Sequence, residues 1–343
     1  MTAVADLSRG DRSLLESALG DDVLGMLEDE TVGDILIRPW GISMDTFDRG
    51  LVETRLVPRS GQIDGVLRVV SGLTGGKVSE QNPIVECKLP LAGGARLAGI
   101  MYGEGESFLT LRRHRAIPVS LQAYEHARPR YNEEGFRRGL EERPGLEASA
   151  SSPVAVVRGL IAGRVPLLIN GPTGSGKTTL LQACVNEAAA QEPNAHYLFI
   201  EDTPELQSLA PHRTFMRTTP FLTLRDLARA ALRHRPTWII FGEVRGAEAL
   251  DAVNAAITGH PIMATVHARS AKGALNRIVA AIGEAVVNVD RERIVDAFGA
   301  VLSVRRKRVQ SGRDEYHISE VVSVDDVSGG RWNVRSLLKE SSA

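Results

Sequence analysis

The sequence predicts an α/β protein of two domains, the second built on a parallel sheet buried on both faces. Three observations lead there. The chain has 343 residues, which at about 150 residues per domain is room for roughly two. Its second half alternates short apolar runs with stretches of helical periodicity, as a sheet covered on both faces requires. A glycine-rich run at 171–179 sits between one such apolar run and a good helix former. Composition agrees: 43% hydrophobic and 24% charged residues are ordinary for a soluble globular chain, which excludes disordered, collagen-like and disulfide-scaffold proteins.

In chain order, residues 12–28 place Leu14, Leu15, Ala18, Leu19, Val23, Leu24 and Leu27 at helical spacing, so one amphipathic helix is expected there. Ile35-Leu36-Ile37 and Ile42-Ser43-Met44 read as strands about the turn Arg38-Pro39-Trp40-Gly41. Residues 60–73 return to a helical pattern, and β-like pieces follow at 84–89, 95–102 and 107–113, with Gly93-Gly94 and Gly103/Gly105 between them. From Arg128 to Pro153 the chain turns charged, proline-bearing and poor in apolar period. The expected organisation is an N-terminal α/β domain at 1–135, a linker at 136–153 and a second domain at 154–343. In that second domain apolar runs at 165–170, 197–200, 238–241 and 262–266 alternate with helical patterns at 177–190, 223–235, 246–257 and 271–282.

The 41 basic and 42 acidic side chains nearly cancel, to a net charge of −1, which excludes a generic polyanion binder but not a local basic patch. The two cysteines, Cys87 and Cys184, cannot make a four-cysteine zinc site and point to a reducing compartment; Cys184 reads as a buried small hydrophobe. There is no run of about 18 apolar residues, and Asp6, Asp11, Asp21 and Asp22 occupy the first stretch. Neither a transmembrane span nor a signal peptide is expected, and the expected location is cytoplasmic.

Four blocks carry chemistry. Gly171-Pro172-Thr173-Gly174-Ser175-Gly176-Lys177-Thr178-Thr179 fits the phosphate-loop pattern G-x-x-x-x-G-K-[ST]. Glycines let the backbone curl its N–H groups inward at phosphate oxygens. Lys177 would bridge the β- and γ-phosphates of ATP and Thr178 would bind Mg²⁺. The competing possibility is a plain glycine-rich turn, which the preceding strand and following helix disfavour. Trp238-Ile239-Ile240-Phe241-Gly242-Glu243-Val244-Arg245 ends an apolar strand in an acid, the placement that poises metal or attacking water beside the γ-phosphate; a lone strand-end carboxylate can equally be solvent-facing. Glu201 and Asp202 close another apolar run and are candidates for catalysis and for the metal, although Asp202 or Thr203 before Pro204 also makes a good helix cap. His267 ends a fourth run, where a γ-phosphate sensor would sit; isolated histidines are more often structural.

In this order and spacing the blocks resemble the secretion-type ATPases of type II and type IV secretion, pilus motors and conjugation. The family's Walker A loop, acidic box, GExR Walker B and His box would be 171–179, 201–205, 242–245 and 265–277. The resemblance extends to Gly33–Gly41, to Ala95-Arg96-Leu97 and to Leu111-Arg112-Arg113, and so covers nearly the whole chain. Leu232-Arg233-His234-Arg235-Pro236 and the compact length are most similar to conjugal-transfer ATPases of the TrbB type, whereas the tetracysteine element usual in type II secretion ATPases is missing. The resemblance implies a RecA-like P-loop domain behind a smaller PAS-like α/β domain, a homohexameric ring, and partners among the inner-membrane components of a channel. An arginine of the first domain would complete the active site, the candidates being Arg96, Arg112, Arg113 and Arg115.

Other functions stay open on the residues. ATP binding could order a non-hydrolysing scaffold. Arg225, Arg229, Arg233 and Arg235, spaced along the helix expected at 223–235, could serve a nucleic-acid translocase, but no aromatics interleave them for base stacking, so direct nucleic-acid binding is not indicated. Arg305-Arg306-Lys307-Arg308 is either a solvated face or a contact for anionic membrane or a channel partner.

Overall fold

The structure is a computed structural model that describes residues 2–3, 8–46, 49–91, 94–102, 106–113, 152–308 and 314–338. The linker expected at 136–153, apart from Ser152 and Pro153, lies outside the described residues, as do Arg115, Gly93, Gly103 and Gly105. The chain packs into two compact units that are not consecutive in sequence. Met1–Ala127 joins Thr218–Arg235 in one, and Arg128–Arg217 joins Pro236–Ala343 in the other.

In the first unit the single helix expected over 12–28 is two, α1 (Arg9–Leu19) and α2 (Asp21–Glu28). Gly20 between them adopts φ +80°, a backbone state that ends a helix and that L side chains rarely enter. The apolar spacing still buries Leu15, Leu19, Val23 and Leu27, because the kink preserves their common face. Helix α3 (Gln62–Leu73) packs beside them. Strands β1 (Thr2–Ala3), β2 (Val32–Arg38), β3 (Gly41–Thr46), β4 (Gly50–Glu53), β5 (Ile84–Lys88), β6 (Arg96–Ile100) and β7 (Phe108–Arg112) form a sheet in the order β1-β5-β6-β7-β2-β3-β4. Cross-strand register aligns Cys87, Leu97, Leu111 and Ile35 in one row, and these side chains enter the core with the helices. By the two-residue period of a strand, the neighbouring row, Lys88, Arg96, Arg112 and Asp34, faces the other way.

That second face receives the Thr218–Arg235 excursion. Helix α6 (Leu224–Ala231) is held at its start by a Thr223–Asp226 capping box and buries Leu227, Ala228, Ala230 and Ala231. It ends four residues sooner than the expected 223–235 helix, so Arg233 and Arg235 do not share a helical face with Arg225 and Arg229. His234 is buried instead, with Nδ1 2.9 Å from Thr110 Oγ1 and its ring edge-on to Phe108 at 4.9 Å. Arg235, at φ +50°, pairs with Asp34 at 2.8 Å and with Asp45 at 2.7 Å. Arg233 lies 3.6 Å from Glu86.

The second unit begins with α4 (Pro153–Ala162), β8 (Leu167–Gly171), α5 (Lys177–Gln191), β9 (Tyr197–Glu201) and β10 (Arg213–Arg217). After the excursion come β11 (Trp238–Phe241), α7 (Glu248–Ile257), β12 (Ile262–His267), α8 (Ala271–Gly283) and α9 (Glu292–Ala297), then β13 (Ala300–Arg308), β14 (Asp314–Ser328) and β15 (Arg331–Ser336). The sheet order is β10-β9-β11-β12-β8-β13-β14-β15. The first six strands pair in parallel, and β13–β14 and β14–β15 pair antiparallel. Ile169, Phe199, Ile240 and Met263 face α4 and α5. Their alternates Leu168, Leu198, Ile239 and Phe241 are also buried, which is why these strands appear as unbroken apolar runs. Both cysteines are buried, and burial pushes each thiol up to about 12, which makes them inert packing groups. Among the described residues no helix is long and apolar enough to cross a membrane.

Candidate nucleotide site

The parallel register collects the chemical blocks at one edge of the second sheet. His267 stands opposite Gly171, and Phe241 opposite both Ile200 and Ala264. Chain ends after β8, β9, β11 and β12 therefore converge, as ligands require in open parallel sheets. The loop out of β8 curls with Gly174 at φ +70° and Gly176 at φ +89°. Gly171 is a close approach: a Cβ there would fall 2.6 Å from the Val304 carbonyl oxygen. Ser175 Oγ is buried with no partner in the protein. Positive φ at two glycines, the close backbone approach at Gly171 and an orphaned hydroxyl together fit a cradle for phosphate oxygens.

Lys177, largely buried, donates to Pro172 O at 3.2 Å and approaches His267 Nδ1 at 3.2 Å. Burial lowers its ammonium from the usual lysine range, and the carboxylates Glu243 and Glu205 oppose that shift. Because Lys177 has only protons to give, His267 Nδ1 accepts and the imidazole proton belongs on Nε2. That nitrogen faces Glu243 Oε1 at 3.5 Å. Thr173 Oγ1 is a further neighbour of His267 Nδ1, at 3.4 Å. Thr265, two residues before the histidine, donates through Oγ1 to Gly242 O at 2.6 Å and ties the two strand ends together.

The acidic block divides its labour. Glu201 is buried, and its Oε1 accepts from the amides of Glu205 at 3.1 Å and Leu206 at 2.8 Å, while Oε2 has no hydrogen-bond partner. Burial raises its carboxyl above the usual range, opposed by those two amides and by the Arg217 charge. Gly242 makes room for it, since a Cβ there would meet Glu201 Cγ at 3.3 Å. Asp202 turns away to pair with Arg245. Thr178 Oγ1 donates to Glu205 Oε2 at 3.2 Å. Glu205 is thus the carboxylate beside the Thr178 hydroxyl; it lies inside the acidic box expected at 201–205 but was not singled out by reasoning from strand ends. Among the described residues no group of three or more His, Cys, Asp or Glu side chains is placed to hold a metal. A Mg²⁺ here would rely on Thr178, one carboxylate and phosphate oxygens, the usual division for that ion.

The arginine candidates lie in the first unit. Arg112 pairs with Asp34 at 2.7 Å, and Arg96 is exposed as its cross-strand neighbour on β6. Arg113 N bonds Gly33 O at 2.9 Å, and its Nε is buried without a partner.

Comparison with known proteins agrees with this architecture. Residues 61–313 match the family described as Type II/IV secretion system protein. The chain is 29% identical to conjugal transfer protein TrbB of Rhizobium radiobacter over 316 residues, 91% of this chain and 89% of that protein. It is 36% identical to competence protein ComGA of Bacillus subtilis over 137 residues, 38% of each. Among solved structures, the VirB11 ATPase of the Brucella suis type IV secretion system, crystallised with sulphate, matches with TM-score 0.77 at 22% identity, covering 92% of this chain and 95% of that one. The fold is accordingly that of a RecA-like P-loop ATPase with a smaller N-terminal domain, and the chain belongs to the Type II/IV secretion system protein family.

Proposed function

We propose that this protein is an ATP-hydrolysing motor that works as a homohexameric ring on the cytoplasmic side of a bacterial inner membrane and powers conjugal transfer or a related type IV secretion process. The observation that carries the proposal is the line Lys177–His267–Glu243 at the mouth of the glycine cradle, with 3.2 Å and 3.5 Å separations. Similarity to TrbB over most of both chains supports the conjugation branch.

In this mechanism the amides of Gly174, Ser175 and Gly176 and the Lys177 ammonium hold the β- and γ-phosphates. Thr178, with Glu205 or Glu201, would hold a magnesium ion, which would supply positive charge against the phosphates, while the third candidate, Asp202, is paired with Arg245. Glu243 orients the attacking water, and His267, already between Lys177 and Glu243, reports whether a γ-phosphate is present. An arginine from Arg96, Arg112 or Arg113, in the same or an adjacent subunit, adds positive charge in the transition state. A scaffold that only binds nucleotide has no use for Glu243. Phosphate release in steady state, with sedimentation in the presence and absence of ATP, tests the proposal. Turnover by a ring is expected, and binding without phosphate release would overturn it.

A further inference from the structure

Beyond the phosphate cradle, a cavity of about 540 Å³ opens beside the loop, between the first turns of α5 and the β13–β14 hairpin. Its volume falls within the range of about 300–1,000 Å³ for small-molecule sites. Gly176, Thr178 and Thr179 form its phosphate side, and Leu180, Ala183, Val304 and Ile318 give it an apolar wall. The cross-strand pairs Val304–Ile318 and Arg306–Tyr316 place one face of the hairpin against the loop. The Tyr316 ring touches the loop backbone so closely that a Cβ on Gly176 would lie 2.9 Å from Cδ1. Yet 57% of the residue stays exposed, so an aromatic surface remains open at the cavity. A Cβ on Gly174 would lie 3.8 Å from Arg306 Nη1, so a member of the basic run at 305–308 stands at the phosphate loop itself.

We infer that Tyr316 is the stacking platform for the base of a purine nucleoside triphosphate, and that this pocket admits ATP and GTP alike. The inference rests on the nucleotide-site reading above and deepens it. A triphosphate held by Lys177, Thr178 and Thr179 must put its nucleoside somewhere within reach of the loop, and this cavity adjoins it. Among its described lining residues the polar side chains are Lys177, Thr178, Thr179, Tyr316 and His317, with no Asn, Gln, Asp or Glu. Discriminating purines takes donors and acceptors matched to their exocyclic groups. An aromatic ring with aliphatic neighbours instead recognises the π-face that every base has.

The experiment titrates the full chain, with Mg²⁺ present, with ATP, GTP and inorganic tripolyphosphate. Wild-type protein is expected to bind ATP and GTP within about threefold of each other. Tyr316→Ala should weaken both by about 5- to 150-fold, the loss of one base–aromatic stack, and leave tripolyphosphate affinity unchanged. Tyr316→Phe should restore nucleotide binding, because the ring and not the hydroxyl does the work. The inference is overturned if Tyr316→Ala binds ATP like wild type, if tripolyphosphate weakens in parallel, or if wild type prefers ATP over GTP by more than about 100-fold. Failure of the underlying reading looks different: wild type would bind neither ATP nor tripolyphosphate, or Lys177→Ala would bind both normally, and the inference falls with it.

Discussion

On the proposed mechanism Lys177 and Glu243 make separable demands, because one would neutralise phosphate and the other would act on water. Lys177→Ala removes the only lysine in the cradle, and ATP binding and hydrolysis are both expected to collapse; wild-type ATPase in that variant would refute the phosphate-loop assignment. Glu243→Gln keeps volume and loses the base, so ATP affinity should persist while kcat falls by about 10² or more. Glu201 offers a stability readout. Its folded carboxyl is raised by burial, so the folded chain binds that proton more tightly than the unfolded chain. The stability it contributes is therefore present at low pH and lost as pH rises from the ordinary carboxylate value through the raised one. Glu201→Gln retains an acceptor for the amides of Glu205 and Leu206 and removes the buried charge. Calorimetry at pH 8 should show Tm higher than wild type by about 2–4 °C, with the gap closing toward pH 5; a lower Tm across the range would mean the charge itself is needed.

The excursion formed by α6 and the turn after it carries the clearest element-level signature. Burial drives the His234 imidazole down to about 3, so it stays neutral in the folded chain. The unfolded chain takes up that proton near pH 6.5. Between those values the unfolded state binds one proton more, and stability falls as pH drops through the window. His234→Asn is expected to be less stable at pH 7, from lost packing on Phe108, but to have a shallower acid limb. The difference in slope should approach one proton, about 1.4 kcal/mol per pH unit. Parallel limbs in chemical denaturation at pH 6, 5 and 4 would show that His234 titrates normally.

On the scale of the whole molecule, the two units exchange chain, and truncation has to respect that. A fragment spanning 150–343 contains α6, which buries Leu227, Ala228, Ala230 and Ala231, without the rest of the unit it clusters with. It should bind a hydrophobic reporter dye and aggregate, whereas a dye-silent, monodisperse fragment would show that the excursion is dispensable. Full-length variants are the better probe of the arginines. Of Arg96→Ala, Arg112→Ala and Arg113→Ala, one is expected to lower kcat by about 10³ or more with ATP affinity kept, and specific activity should rise with protein concentration if a neighbour completes the site. Three variants with unchanged kcat would remove the first unit from catalysis.

The sequence alone determined the buried parallel strands and the placement of the glycine loop, Glu243 and His267 at or just after their ends. Local rules place them: positive φ favours glycine, and burial on both faces demands an unbroken apolar run. It also determined the β2–β3 hairpin, through the turn at Pro39-Trp40. Only the tertiary structure decided what depends on partners distant in sequence. Strands β4 and β10, at or near sheet edges, are short and mix polar with apolar residues, so neither shows a clear apolar run. The choice of Glu205 over Asp202 at Thr178 follows from how the chain turns after β9, where Arg245 claims Asp202. The approach of Tyr316 to Gly176 is set by a hairpin register some 140 residues along the chain. The end of α6 at Ala231, despite good helical periodicity beyond it, is set by burial of His234 and by the pairing of Arg235 with Asp34 and Asp45. Helix propensity is worth a few tenths of a kcal/mol per residue, and a buried side chain with an ion pair beside it outweighs that.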